Sequence, residues 1–302
     1  MTTVRVTMVV PAYNAADYVV EAVESLLAQD YPNLEIIVVD DGSTDGTAEL
    51  VAGFGDRVKL HRQPNAGQSA AMATGWSMGK GEFLGYLSAD DRLRPQGVRR
   101  CAEELASRPD AALVYPDFDI IDERSVRTTT VCPPDFSRRA LYAELHCLPG
   151  PGALFRRSAY EEIGPWRSDL RQIPDLDFFL RLGLKGDFYH IPEVLAEFRM
   201  HAQSTTYRAV PFERGEEPLK MVEEFLARAD LPSDVRSWQR SMRANARLLS
   251  AAIHGRSGRF SLAAKRLAAA AIAEPRAAVS RKALGHVLLM IKGAMTRRSS
   301  AT

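Results

Sequence analysis

Three apolar, strand-like runs in the first 91 residues each break into a polar cluster, and this recurrence constrains the fold more than any other feature of the chain. Val4 to Val10 leads into Pro11-Ala12-Tyr13-Asn14, Glu35 to Val39 into Asp40-Asp41-Gly42-Ser43, and Glu82 to Leu87 into Ser88-Ala89-Asp90-Asp91. Helical patterns separate the runs; Val19, Ala22, Val23, Leu26 and Leu27 form one apolar stripe. Strands alternating with helices are the signature of βαβ units and of a mostly parallel sheet flanked by helices. In an open sheet of that kind, ligands bind in the crevice outside the carboxyl ends of the strands. Four carboxylates gathered there repel one another and repel any phosphate. A divalent cation relieves both repulsions, and Mg²⁺ or Mn²⁺ is commonly held by one or two carboxylates plus substrate phosphates. The chain carries neither GxxxxGK[ST] nor GxGxxG, the two glycine-rich phosphate cradles readable from sequence. The pattern therefore points to metal-assisted chemistry on a nucleoside diphosphate.

The octapeptide Asp40-Asp41-Gly42-Ser43-Thr44-Asp45-Gly46-Thr47 follows a strand and opens a helix, with Ser43 as a candidate N-cap. Asp, Gly and Ser are turn formers, so the run reads as a capped turn. A carboxylate here also accepts the N3–H of a uracil or thymine, or a ribose hydroxyl. Asp90 and Asp91 follow an apolar strand and precede Pro95, which is expected in the first turn of a helix reaching Ser107. Further segments expected are a strand at Val58–His61, a helix at Gly67–Met78 weakened by Gly75, and strands at Ala112–Tyr115 and Ser125–Val131. Asp175 to Leu184 has helical spacing, and Asp175 reads as its N-cap.

Val9-Val10-Pro11-Ala12-Tyr13-Asn14, the Asp-Asp-Gly-Ser-Thr-Asp-Gly-Thr run and Gly67-Gln68-Ser69-Ala70 together resemble the family 2 glycosyltransferases, as do Ala89-Asp90-Asp91, Pro174-Asp175-Leu176-Asp177 and Phe198-Arg199-Met200-His201. The motifs occur in the family's order across about residues 4–206. The resemblance implies a GT-A fold, inversion at the anomeric carbon, a nucleotide-sugar donor of UDP or dTDP type, and Mn²⁺ or Mg²⁺ as cofactor. It implies that Pro11, Ala12 and Tyr13 line the base and ribose, that Asp41 or its neighbour Asp40 binds the nucleobase, and that Asp90 belongs to the nucleotide and metal motif. It implies Asp91 as the direct metal ligand, His201 as a further metal or diphosphate ligand, and Asp175 as the catalytic base. Arg199 is expected at a phosphate, Trp166 with Tyr160 along the acceptor site, and Asp177 in a structural role. The chain departs from the family pattern at Ser88, where an acid is frequent, at Pro174 and at Ala71-Met72-Ala73. Two rival readings remain open at this point: a nucleotidyltransferase on a related sheet, and a nucleotide-sugar-binding module without activity.

The 302 residues suffice for one large domain with an appendage. Beyond Pro211 the pattern is helical, with segments expected at Glu216–Ala229, Ser233–His254, Ser261–Ala273 and Ala277–Lys292. The reading is a catalytic domain over 1–210 and a helical appendage over 211–302. From Gly255 onward ten Lys or Arg stand against the single acid Glu274, whereas the rest of the chain holds 29 basic and 37 acidic residues. A basic tail on an acidic body suggests an anionic partner. Leu284, Val287, Leu288 and Ile291 mark an amphipathic helix that either packs on the body or meets an anionic inner leaflet near a glycan or lipid-linked acceptor. No nucleic-acid partner is expected. Three cysteines, with no CxxC pair, fit a reducing cytoplasm. No signal-like or membrane-spanning stretch is read, so the expected location is cytoplasmic, with peripheral attachment to the inner face of the membrane.

Overall fold

The computed structural model describes residues 3–147, 149–201 and 209–275. Contacts divide the chain into two units: Met1–Phe136 with Leu148–Ser168 and Arg181–His201, and Ser137–Cys147 with Asp169–Leu180 and Ala202–Thr302. One division lies between His201 and Ala202, whereas the sequence places its cut at residue 210. The second unit also takes in two earlier segments, because their backbone is held by helical side chains.

The first unit is built on one nine-stranded sheet. Its strands are β1 Val6–Ala12, β2 Leu34–Asp40, β3 Lys59–Arg62, β4 Phe83–Tyr86, β5 Arg92–Leu93, β6 Ala111–Ile121, β7 Arg127–Val131, β8 Leu154–Arg156 and β9 Asp187–Arg199, in the order β3-β2-β1-β4-β8-β6-β9-β5, with β7 on β6. The β3-β2-β1-β4 half is parallel throughout. Beyond β4 the pairing is antiparallel at β8, and only β6 and β9 run parallel. The parallel register sets Ala12 beside Asp40 and Val9 beside Tyr86, so the three polar clusters leave the same edge.

β1 and β2 are buried on both faces, which explains their continuous apolar character. Met8, Val10 and Val38 pack with Val19, Val23 and Leu26 of helix α1 (Val19–Leu27). On the other face, helix α3 (Gln68–Met78) lies so close that a Cβ at Gly75 would sit 2.4 Å from Val9 Cγ1. Gly75, expected only to weaken this helix, is what allows its approach to the sheet. Helices α2 (Thr47–Ala52), α4 (Gly97–Ser107) and α6 (Arg157–Ile163) complete the unit's helical cover.

Several local expectations change. The residue at the N-cap position of α2 is Gly46, at φ 91°, and Asp45 Oδ1 accepts from Thr47 N–H in place of the expected Ser43 cap. Pro95 sits in the turn before α4, where its carbonyl accepts from Asp30 N–H. β6 extends well past the expected Tyr115 because the 13-residue β9 pairs along it. β9 escapes pattern reading because Pro192 interrupts it. The register shifts there, passing from Pro116↔Ile191 to Asp117↔Val194, so the proline lies where no ladder donor is needed.

The second unit is helical. It holds α5 (Arg138–Tyr142), the start of α7 (Pro174–Leu182), α8 (Phe212–Leu226), α9 (Ser233–Ser237), α10 (Gln239–Arg256) and α11 (Phe260–Ala273). The single helix expected from Ser233 to His254 is broken at Trp238. Tyr142 stacks on Phe225 at 6.0 Å, and Asn245 donates to the Ala143 carbonyl at 3.0 Å. Such contacts draw the 137–147 segment onto the C-terminal helices. The expected helix at 277–292, with Leu284 to Ile291, lies outside the described residues.

Candidate active site

At the end of β1, Ala12 is buried, Pro11 is half-buried and Tyr13 is 53% exposed. Asn14 takes a left-handed conformation, φ 48°, which Asn tolerates better than most residues. Its Oδ1 accepts from Thr44 N–H at 2.9 Å, and its own N–H donates to Ser43 Oγ at 2.9 Å. Ala15 N–H donates to Thr47 Oγ1 and Ala16 N–H to Asp45 Oδ2. The octapeptide therefore stitches the loop after β2 to the loop after β1, a role its turn composition alone does not reveal.

Asp40 and Asp41 are both buried. Asp40 Oδ1 accepts from Ser43 N–H at 3.2 Å, and its Oδ2 pairs with Arg62 Nε at 3.2 Å. Asp41 Oδ1 accepts from Gln63 Nε2 at 2.8 Å and from Ala66 N–H at 2.9 Å, and its Oδ2 accepts from Gly67 N–H at 2.7 Å. Gly42, at φ 78°, lets the 63–67 loop come close; a Cβ there would lie 3.0 Å from Asn65 N. Asp41 and Asp40, the acids expected at the nucleobase, are thus both held by protein donors. Asp41 accepts three hydrogen bonds from the 63–67 loop, which leaves one of its roughly four acceptor sites uncommitted.

The third cluster separates the two acids that the sequence left adjacent. Asp90 Oδ2 lies 2.9 Å from His201 Nε2, and its side chain is 30% exposed. Asp91 is buried and turned inward, where its Oδ1 accepts from Arg199 N–H at 2.8 Å. Burial, and then the neighbouring Asp90 charge, push the Asp91 carboxyl well above its ordinary range. Asp91, expected as the direct metal ligand, is buried here, with its Oδ1 bonded to the β9 backbone. The partly exposed carboxylate–imidazole pair at this edge is Asp90 with His201. Among the described residues no group of three or more His, Cys, Asp or Glu gathers as a metal site. A carboxylate oxygen and an imidazole nitrogen at one accessible edge suit Mn²⁺ or Mg²⁺ that takes its remaining ligands from a diphosphate.

Arg199, expected at a phosphate, is a buried brace. Its Nε donates to the Asp90 carbonyl at 2.8 Å, Nη1 to Ser125 Oγ at 2.8 Å and to the Asp122 carbonyl at 3.2 Å, and Nη2 to Glu21 Oε2 at 2.8 Å. The guanidinium lies 4.7 Å from the Tyr18 ring centroid, and that ring is 5.0 Å from His201. At 1% exposure it has no surface to offer a ligand. Burial raises the Glu21 carboxyl, but Arg199, Ser125 and Arg92 outweigh it and hold Glu21 below its ordinary range. Tyr18, Glu21 and Ser125 were missed in sequence because each sits in an unremarkable helix or turn far along the chain from residue 199.

In the second unit, Asp175 lies in the first turn of α7. Asp175 is the second residue of α7 and not its N-cap, because the helix already begins at Pro174. Its Oδ1 accepts from Leu176 N–H at 2.9 Å, and Cys147 Sγ lies 3.8 Å from Oδ2. Burial pushes its carboxyl above the ordinary range, against the lowering effect of these donors. Asp177 is buried, in keeping with a structural role. Trp166, expected along the acceptor site, is 5% exposed and packs edge-on against Trp76 and Tyr86 at 6.1 and 5.3 Å, and Tyr160 meets the same Trp76 ring at 5.4 Å. Both belong to an aromatic core because their rings fill the space beside β4.

A half-parallel sheet with acidic loops at one strand edge, one of them carrying a carboxylate–imidazole pair, defines a nucleotide-sugar transferase of the GT-A type. Residues 7–164 match the model for glycosyl transferase family 2, and the chain belongs to that family. It is 32% identical over 212 residues to an uncharacterized glycosyltransferase of Rickettsia prowazekii, covering 68% of this chain and 67% of that one. It is 30% identical to the chondroitin synthase of Escherichia coli over 74% of this chain but only 33% of the synthase. Among solved structures, S. aureus TarS 1–349 in complex with UDP-GlcNAc superposes with a TM-score of 0.64 at 18% identity, covering 96% of this chain and 81% of that 1–349 chain. The mannosyltransferase PcManGT from Pyrobaculum calidifontis, in complex with GDP-Man and Mn²⁺, gives 0.63 at 19% identity, covering 98% and 87%.

Proposed function

We propose that this glycosyltransferase moves a sugar, with inversion, from a metal-bound nucleoside-diphosphate sugar to an acceptor hydroxyl in glycan or glycolipid synthesis. The observation that carries the reading is the Asp90–His201 pair at the carboxyl edge of the sheet. Pro11, Ala12 and Tyr13 form the wall for base and ribose, with Asp41 behind them. Asp90 and His201 hold the cation, which when bound supplies Lewis-acid stabilisation of the leaving diphosphate. Asp175 takes the proton from the acceptor hydroxyl as that oxygen attacks the anomeric carbon. A positioned base of this kind contributes roughly 10²–10⁴-fold in rate. The raised Asp175 carboxyl suits the role, since a base nearer neutrality accepts a proton more readily. TarS in complex with UDP-GlcNAc supports a UDP-type donor, and PcManGT in complex with GDP-Man makes a guanosine donor the competitor to include.

In this reading the catalytic domain covers 1–210, with 211–302 as a helical extension. No helix among the described residues is long and apolar enough to cross a membrane. A cytoplasmic protein whose basic end, from Gly255, meets an anionic membrane surface accounts for the charge asymmetry. The test is a thermal-shift panel of nucleotide sugars with and without Mn²⁺, since a ligand binding only the native state raises Tm, followed by product analysis of the best donor. Release of a nucleoside diphosphate is expected. Release of pyrophosphate assigns a nucleotidyltransferase, and tight binding without turnover assigns an inactive binding module.

A further inference from the structure

The helical unit contains a buried carboxylate that the transfer reaction leaves without a role. Glu217 lies in the interior of α8 and is 7% exposed. An unpaired glutamate there would be costly. Its partners are two successive backbone donors: Oε1 accepts from Arg171 N–H at 2.9 Å and Oε2 from Gln172 N–H at 2.7 Å. One turn further along α8, Lys220 Nζ pairs with Asp169 Oδ2 at 2.7 Å. The segment from Asp169 to Gln172 leads directly into the turn that carries Asp175. Those N–H groups precede the helix, so no ladder satisfies them, and each would otherwise need water or another acceptor.

We propose that Glu217 is a positioning residue for the catalytic base, with its forked carboxylate fixing the 171–172 backbone so that α7 presents Asp175 to the acceptor hydroxyl. This inference rests on the reading of Asp175 as the base. Charge-assisted bonds from backbone N–H to carboxylate are among the stronger hydrogen bonds of proteins. Two on adjacent residues fix the direction of the chain as well as its place. Misplacement of a reacting group by about 1 Å can cost about 10²-fold in rate. The C-terminal helices thereby act on chemistry rather than serving only as an attachment. The environment of Asp175 depends on the same clamp: with the 169–172 segment loosened, water reaches the carboxyl, and the burial that raises it is lost.

The experiment compares full-length wild type, Glu217→Ala, Glu217→Gln and Asp175→Asn, each first checked for a native circular dichroism spectrum. Steady-state transfer is measured across pH, and nucleoside-diphosphate binding with Mn²⁺ is measured separately. Glu217→Ala is expected to lower kcat by about 10-fold or more, to leave donor KM and nucleotide binding unchanged, and to move the acid limb of kcat to lower pH. Glu217→Gln, which keeps one acceptor oxygen, is expected to fall between Ala and wild type. If Glu217→Ala does not fold, Glu217→Gln carries the test alone. A folded Glu217 variant with wild-type kcat and acid limb overturns the proposal. So does a loss of donor binding equal to the loss of kcat, which marks a purely structural role. Wild-type activity in Asp175→Asn removes the base assignment itself, a failure distinct from a normal Glu217 variant beside a dead Asp175→Asn.

Discussion

The two units hold their candidate acids by different means. In the sheet unit, Asp40 ends β2, and Asp41, Asp90 and Asp91 follow strands whose parallel register brings them to one edge. Backbone N–H groups of neighbouring loops and β9 finish the placement. In the helical unit, Asp175 stands at the start of a short helix whose lead-in is held by side chains of another helix, Glu217 and Lys220. A sheet edge places groups through its ladder, so single side chains matter less to its geometry. A helix start has no ladder on its N-terminal side and relies on whatever acceptor the fold supplies.

The contrast breaks or sharpens most clearly where metal and base are separated. Asp90→Ala is expected to abolish Mn²⁺-dependent stabilisation by nucleoside diphosphate, and transfer with it. Asp175→Asn is expected to keep that stabilisation while transfer falls roughly 10²-fold or more. If both variants lose nucleotide binding together, the division of labour fails. The pH profile carries a sign as well. Burial raises the Asp175 carboxyl, so the base is protonated and inactive until pH passes its raised value, above the ordinary carboxylate near about 3.9. The same shift favours the fold: its contribution is fully present below the ordinary value and is lost as pH rises through the raised one. An acid limb of kcat at or below about pH 3.9 contradicts the shift.

Next in size is the brace of the sheet unit. Arg199 joins Glu21, Asp90, Asp122 and Ser125 with no exposed surface of its own. Arg199→Met leaves Glu21 and several carbonyls without their donor, and removing one partner of a buried pair typically costs about 3–5 kcal/mol. Glu21 is partly solvated, which draws the expectation toward the lower end of that range. A urea midpoint shift equivalent to less than about 1 kcal/mol would show that the brace is dispensable. The smallest effect is expected at Lys220–Asp169, whose side chains are 49% and 47% exposed. Lys220→Met should change stability by no more than about 1 kcal/mol and leave kcat near wild type. A large kcat loss there would move the clamp from Glu217 to the surface pair.

The sequence by itself determined the acid-bearing strand ends, the alternating helices between them and the family, because each is written in contiguous residues whose period and turn chemistry read locally. Ala12, Asp41 and Asp90 were singled out this way, and the parallel register brings their loops to one edge. The sequence could not tell Asp90 from Asp91. Adjacent residues leaving a strand point to different sides, and which side is buried depends on β9, whose Arg199 N–H claims Asp91 from 108 residues away. Arg199 was expected at a phosphate because the Phe198-Arg199-Met200-His201 run resembles a family motif. The fold instead encloses the guanidinium between Tyr18, Glu21 and the 122–125 turn. For Trp166 the sequence left acceptor site, rim and core all open, and the fold makes it core, because Trp76 and Tyr86 pack against it. Glu217 gave no signal at all, being one acid in an acidic helix. Only tertiary structure decided these positions, because burial, and with it the choice between ligand and brace, is set by which distant segment packs on a residue, and local pattern carries no information about that.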